Sequence, residues 1–501
     1  MSAPLLLSLL VDAGADGDAL ARTVASVRRQ DDDGWEVVVA GTGTGAGTGV
    51  GTDERVRTVP AGDAPPLEAA RRAAAGQFVA VVGAGDELEP GVLAAVRTLL
   101  GERPATDLVY TDEQWPSPDG SGVRMKPDLL PRLLEALPYV GRLAFHRAEL
   151  LDRAGGFAGP GDAQQDVQEH DAVLRVTELT TAVVHVPAVG LTRSDAPHPD
   201  AAGLRAAVEG RLRRTGRRGR VEDAPAGGTR TWLEVTEPPL VSIVVPTAGG
   251  RRRLGDEDVL LVERCLRSVR DRTTYDRWEV VLVTSARTPD AVLDGLRADL
   301  GDRLVHVPVA GDFNFSTSVN QGAGAARGEL ILLLNDDTEV VEPRWLERMV
   351  SVAVDPSVGA VGAKLLFAEG TVQHVGITVD DSFSPIHALG SEEDGEGALG
   401  AKVLDTDWDA VTGACLLTPR DVFETVGGFD PALPLNFNDL DYCYKVRLLG
   451  RAVVTAPFAV LHHYESSSRG HALEDWEMQT LAARWYPAMR ADPHVEYRTT
   501  W

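Results

Sequence analysis

The feature that most constrains this 501-residue chain is that it repeats itself. RTVASVRRQDDDGWEVVVAG in the first half parallels RCLRSVRDRTTYDRWEVVLVTS in the second, and AAAGQFVAVVGAGDELEPGVL parallels GAARGELILLLNDDTEVVEPRWL. Further on, RAGGF matches TVGGF, and EHDAVLRV matches NDLDYCYKV. A repeat of so long a period means a duplicated domain, not a solenoid, and the length suits two domains of about 250 residues. The junction falls near Arg211–Pro239, which gives domains 1–235 and 236–501. Within each copy, short apolar runs alternate with amphipathic stretches. Leu5–Val11, Trp35–Ala40, Arg55–Pro60 and Gln77–Val82 read as strands, as do Val241–Pro246, Trp278–Val283, Arg303–Val307 and Leu330–Leu334. Strands alternating with helices predict an α/β fold, two tandem domains each built on a mostly parallel sheet. The arginines of RLRRTGRRGR are expected to be a solvated helix end and linker, and Gly41–Gly51 a surface loop.

The charge balance excludes some partners. Net charge is −26, which argues against nucleic acid or an anionic bilayer as a general partner. No run approaches the roughly 18 apolar residues of a membrane span. MSAPLLLSLLV has no basic leader segment and aligns with a first strand, so it is not expected to be a signal peptide. Cys265, Cys415 and Cys443 are too few and too scattered for a disulfide framework or a zinc site, and a reducing cytoplasm is the expected location.

One stretch carries the chemistry, Glu329–Leu346, ELILLLNDDTEVVEPRWL. The buried strand Leu330–Leu334 ends abruptly in Asn335-Asp336-Asp337. Carboxylates at the carboxyl end of such a strand face the crevice where open α/β sheets bind ligands. Side by side they need a counter-charge, and a hard divalent cation bridging to substrate phosphates supplies one.

That stretch and VSIVVPT, FNFSTSVNQGAGAARGELILLLNDD, VTGACLLTPRDVFETVGGFD and NFNDLDYCYKVRLLG together resemble family 2 glycosyltransferases, closest to tandem-domain, rhamnosyltransferase-like enzymes of O-antigen, capsule and cell-wall polysaccharide assembly. The resemblance implies a GT-A fold (Rossmann-like), a nucleotide-sugar donor, a divalent metal (Mn2+ or Mg2+) and inversion at the anomeric carbon. By position it makes Asp337 a metal ligand, with Asp336 beside it and one of His462 and His463 completing the set; alternation along an extended segment favours His463. Asp439, in Asn438-Asp439-Leu440-Asp441, matches the catalytic base, with Asp441 as helper or structural residue. Pro246, Thr247, Asn320, Arg327 and Asn335 fall at donor-contact positions. Thr284 stands where the family commonly carries Asp for the base or ribose, so the nucleotide stays open, a UDP- or dTDP-sugar being expected. Trp408, Asp409, Gly413 and Ala414 match the stretch lining the sugar and acceptor side, although a core tryptophan is an equal reading of Trp408. Ser466–Ser468 and Arg469 are expected in a diphosphate-contacting loop, and His374 as a structural histidine.

The first copy keeps the scaffold and loses the tools. Its metal motif is reduced to Gly83-Ala84-Gly85-Asp86, and Asp112, Glu113 and Asp171 are single surviving acids. One carboxylate holds a metal poorly, so this copy is expected to be degenerate and non-catalytic. The function expected is a metal-dependent inverting glycosyltransferase extending a polysaccharide or lipid-linked glycan. The alternatives are a non-enzymatic glycan-binding scaffold and a bifunctional transferase with both copies active. Peripheral attachment at the inner face of the cell membrane and homo-oligomerisation stay open.

Overall fold

A strand covered on both faces can expose neither, and Leu330–Leu334 is buried along its whole length. Its side chains split by parity. Leu330, Leu332 and Leu334 join one apolar cluster and Ile331 and Leu333 another, one on each face of the sheet. The computed structural model that shows this describes residues 6–14, 16–41, 53–117, 122–157, 164–198, 200–254, 257–380, 382–464 and 475–494. The chain divides into two compact units around residues 224–229.

In the first unit the sheet strands are β1 (Leu7–Asp12), β2 (Trp35–Gly41), β3 (Val56–Pro60), β4 (Phe78–Val81), β5 (Glu87–Leu88), β6 (Leu108–Gln114), β7 (Phe145–Arg147) and β8 (Val183–Thr192), in the order β3-β2-β1-β4-β7-β6-β8-β5. In the second they are β9 (Val241–Thr247), β10 (Trp278–Ser285), β11 (Leu304–Val309), β12 (Leu330–Leu334), β13 (Thr338–Val340), β14 (Val358–Leu366), β15 (Cys415–Pro419) and β16 (Ala452–His463), in the order β11-β10-β9-β12-β15-β14-β16-β13. The two orders are the same, strand for strand, as a duplicated sequence requires.

The α/β class is as expected, and each sheet keeps more parallel than antiparallel neighbours along its strand order, with antiparallel strands set among them. β11, β10, β9 and β12 pair in parallel. β15 then runs antiparallel to both β12 and β14. Parallel pairing needs a crossover, usually a helix. Between β14 and β15 the described chain supplies only short strands and one 3-10 turn, so it returns reversed. The parallel half keeps the crevice at the carboxyl ends of β9 and β12, where the candidate site lies.

Two elements were not legible beforehand. The helix Ala201–Arg214 precedes the junction, and its arginines are not simply solvated. The buried Glu135 draws in Arg211 at 2.9 Å together with Arg217, while Arg214 reaches Glu178 at 2.8 Å. The helix Asp475–Arg490 packs on the second unit. Among the described residues no helix is long and apolar enough to cross a membrane. Most of Gly41–Gly51, and all of Ser466–Ser468 and Arg469, lie outside the described residues.

Candidate functional site

β12 stops where Asn335 turns, and each residue of Asn335-Asp336-Asp337 is held by a different strand end. The Asn335 amide donates to the Ala414 carbonyl at 3.0 Å. Asp336 Oδ2 accepts the Thr247 hydroxyl at 2.6 Å, from the end of β9. The Asp337 carbonyl accepts the Tyr464 amide at 2.9 Å, and its carboxylate oxygen Oδ1 lies 3.1 Å from His463 Nε2 at the end of β16.

The protonation of His463 follows from its other contacts. Gln373 Nε2 donates to the His463 carbonyl at 3.2 Å, which turns Gln373 Oε1 toward His463 Nδ1, 2.6 Å away. The proton of a neutral ring therefore sits on Nδ1, leaving the lone pair on Nε2. Asn335 Nδ2, 3.3 Å from Nε2, points a donor at that lone pair. A carboxylate oxygen and an imidazole lone pair facing each other at 3.1 Å repel unless a positive charge lies between or beside them. A proton or a metal ion meets that need, and carboxylate plus imidazole is a usual divalent-metal donor set. Among the described residues no group of three or more His, Cys, Asp or Glu forms a complete cage, so the protein would supply two ligands and leave the rest to substrate and water. His462 faces the other way, its Nδ1 3.0 Å from the Phe367 carbonyl, and is corrected to a structural residue.

The loop Thr412–Ala414 joins this motif to the acidic helix Asn438–Leu448. Ala414 holds Asn335, and the Gly413 amide donates to Asp439 Oδ2 at 2.9 Å. Asp439 Oδ1 accepts its neighbour's amide, from Leu440, at 2.9 Å. Before the helix, Phe437 adopts φ +58°, a left-handed conformation that costs a bulky residue about 1–3 kcal/mol and recurs at functional turns. The turn is braced by Glu477 of the Asp475–Arg490 helix, which accepts the amides of Leu435 and Asn436 and the Asn436 side chain at 3.3, 3.0 and 2.6 Å.

Several expected site residues are elsewhere. Asp441 is fully buried and bonded to Lys445, Arg484 and Trp485, fastening the two helices together; it is not placed to act on a substrate. Asp409 is buried on Arg447 and Tyr444, its carboxyl pushed up to about 7 chiefly by burial. Trp408 is a core tryptophan. His494 stacks on it at 4.4 Å, and Gly376 (φ +152°) presses bare backbone against the ring, where a Cβ would lie 2.2 Å away. Asn320 spends its amide on the backbone of Phe429 at 2.7 and 2.9 Å. Arg327 precedes β12 and binds Glu279 at the amino end of β10, the wrong edge of the sheet for a donor contact.

Pro246 and Thr247 end β9 at the crevice, and Thr284 sits one strand over, at the end of β10. Its hydroxyl pairs with His306 Nε2 of β11 at 2.8 Å, a residue that sequence reasoning passed over although strand alternation carries the two to one face. Burial lowers the His306 pKa and keeps the ring neutral. Arg252 was also passed over. It lies on a hairpin, Arg251–Leu254 against Glu257–Leu260, that follows β9, and it donates to the Tyr464 carbonyl next to His463. A cavity of about 280 Å3 opens beside His463 and Thr412.

The same edge of the first unit is built differently. Sheet register puts Arg193 where the second unit has His463, and Arg142 where it has Ala414. Arg142 binds Asp86 at 3.0 Å and Asp166 at 3.0 Å, and Arg193 binds Asp166 at 2.9 Å. Guanidinium groups thus supply the positive charge that the acids there require. Asp171, a surviving acid of EHDAVLRV, is paired with Arg175 one turn on at 2.9 Å, as Asp441 is with Lys445.

Known proteins resemble the chain over the segment that holds this site. The model of the family described as glycosyltransferase like family 2 matches residues 238–488, half of the chain. The chain is 33% identical over 443 residues to the O-antigen biosynthesis protein RfbC of Myxococcus xanthus, covering 85% of this chain and 34% of that protein. It is 29% identical over 530 residues to an uncharacterized protein of Sinorhizobium fredii, covering 98% and 57%. The chain therefore spans between about a third and just over half of the length of these relatives. Solved structures overlap it in part: GalNAc-T7 with UDP, GalNAc and Mn2+ at TM-score 0.41, 15% identity and 50% of each chain, and the mannosyltransferase PcManGT from Pyrobaculum calidifontis in complex with GDP-Man and Mn2+ at TM-score 0.33, 18% identity, 51% of this chain and 65% of that one. The matched family segment runs from just before β9 to the Asp475–Arg490 helix and contains every residue of the candidate site: the chain belongs to glycosyltransferase-like family 2.

Proposed function

We propose that the second unit moves a sugar from a nucleoside-diphosphate sugar to a hydroxyl of a growing polysaccharide or lipid-linked glycan, with inversion and with a divalent metal. One observation carries the reading. The three-residue loop Thr412–Ala414 holds Asn335 of the acidic motif through one residue and Asp439 through the next. A residue suited to the leaving diphosphate and one suited to the attacking hydroxyl are thus fixed to each other. Asp337 and His463 would hold the metal, which when bound neutralises the departing diphosphate as a Lewis acid. Asp439 takes the proton of the acceptor hydroxyl as its oxygen attacks the anomeric carbon and the glycosyl–phosphate bond breaks on the opposite side. Gly413 orients that carboxylate, Thr247 fixes Asp336, and Thr284 with His306 faces the nucleotide. Arg252 stands by the diphosphate.

The O-antigen name of the Myxococcus relative supports a polysaccharide acceptor. The first unit is read as non-catalytic, because Arg193 and Arg142 stand at the register positions of His463 and Ala414 and neutralise the acids there. This same observation weighs against the bifunctional alternative. The test is Asp439→Asn. Nucleotide release from a UDP- or dTDP-sugar with acceptor should fall by about 10²–10⁴ with donor binding near that of the wild type. Wild-type turnover in that variant removes Asp439 from the mechanism.

A further inference from the structure

The strand Val372–His374 presents Gln373 to one side and His374 to the other. Gln373 serves His463, as described. His374 is fully buried, which drives its pKa well down and keeps the ring neutral. Its Nε2 accepts the Thr412 amide at 3.3 Å, so its one proton is on Nδ1. That proton is donated to His387 Nδ1 at 2.9 Å. With Nδ1 of His387 an acceptor, the His387 proton is on Nε2 by elimination. His387 ends a hairpin, Ile377–Val379 against Pro385–His387, and its ring is exposed where it lines the cavity of about 280 Å3. Thr412 and His463 line the same cavity, with Gln373 and Ser391. One wall is therefore the candidate metal ligand, and another is the loop that holds Asp439. The fixed ring of His387 stands with them.

We propose that this cavity seats a single sugar ring and that His387 is its specificity-determining residue, donating its Nε2–H to a ring hydroxyl. The inference rests on the transferase reading above. The cavity of about 280 Å3 has room for a sugar ring. Its polar lining suits hydroxyls. With the Thr412 amide on its Nε2, the buried His374 donates from Nδ1 and so locks the His387 tautomer. The ring belongs either to the donor or to the end of the acceptor; both offer the same hydroxyls.

Titration calorimetry on the full chain with Mn2+ separates these. One arm compares UDP with UDP-glucose and dTDP with dTDP-rhamnose. The other titrates methyl α-glucoside and methyl α-rhamnoside into protein saturated with UDP. The arm in which the wild type gains affinity from the sugar names the source. His387→Gln keeps an amide donor near the position of Nε2, whereas His387→Asn keeps only an acceptor near Nδ1. The sugar's gain should survive in His387→Gln and fall about 3- to 10-fold in His387→Asn, with nucleoside diphosphate binding unchanged in both. The reverse ranking would make His387 a structural prop and overturn the proposal. So would equal gains in both variants, or a wild type that binds Mn2+ and nucleoside diphosphate but gains nothing from any sugar in either arm. Failure of the wild type to bind nucleoside diphosphate with metal would instead remove the transferase reading, and this one with it.

Discussion

At the scale of single residues, the site is a set of hydrogen-bond directions more than a set of charges. Asp337 and His463 matter because Gln373 has already assigned the imidazole proton to the far nitrogen. Gln373→Leu should release that assignment and weaken Mn2+-dependent nucleotide binding about tenfold, as removal of a residue that orients a ligand usually does. Unchanged Mn2+ titration in that variant would show that the tautomer does not matter. This level was only partly legible in the sequence. The alternation of a strand picks out His463 over His462, but Gln373, His306 and Arg252 come from segments distant along the chain and carry no motif. Arg327, Asn320 and Asp441 have the right residue types at family positions, yet Arg327 lies at the opposite end of its strand on Glu279, Asn320 holds the Phe429 backbone, and Asp441 is buried between two helices.

At the scale of elements, the Asp475–Arg490 helix is the buttress of the acidic helix. Its Glu477 is almost fully buried and accepts three hydrogen bonds from the turn at Leu435–Asn436. Glu477→Ala leaves those donors unpaired, at a cost of about 2–3 kcal/mol. The melting temperature should fall by roughly 5–10 °C, and kcat should fall more than KM rises because the Asp439 turn loosens. A variant that melts as the wild type does would show the turn to be held by other contacts. The sequence hid this helix because Asp475–Arg490 mixes charged, aromatic and apolar residues with Pro487 inside it, so no clean apolar stripe marks it. The parallel strands β9 and β12 were legible, since each is mostly apolar and buried along its length, Leu330–Leu334 without a break. The reversal of β15 was not, because direction depends on whether a crossover is present and not on the strand itself.

At the scale of the whole molecule, duplication has been followed by divergence in the means of neutralising acids. The second unit presents an acceptor pair that calls for a cation, and the first carries its own in Arg142 and Arg193. Arg142→Ala strands the buried Asp86 and should destabilise the protein by about 3–5 kcal/mol while nucleotide binding stays at one site per chain. Two sites per chain by calorimetry would revive the bifunctional reading. The first unit also has a pH signature. Burial pushes the Glu169 carboxyl up to about 8, so the folded chain holds a proton that the unfolded chain releases above its ordinary carboxylate range. That contribution is full below about pH 4.5 and is lost as pH rises through about 8. Glu169→Gln should therefore flatten the decline, gaining stability over the wild type at pH 8 and little at pH 5. Parallel unfolding curves at both values would contradict it. The repeat was plain in the sequence, and the loss of the metal motif too. The arginines that replace it were not, because only sheet register brings Arg142 and Arg193 to those places.

The central claim is that the carboxyl edge of β12 is a metal-dependent nucleotide site. It is tested most directly by titrating UDP, dTDP and GDP into the full chain with and without Mn2+, against Asp337→Ala, and following the melting temperature. One nucleotide class should stabilise the wild type only when metal is present, by about 2.7 kcal/mol at 100 times its Kd, and Asp337→Ala should abolish that shift. A shift of the same size without metal, or an undiminished one in Asp337→Ala, would contradict it.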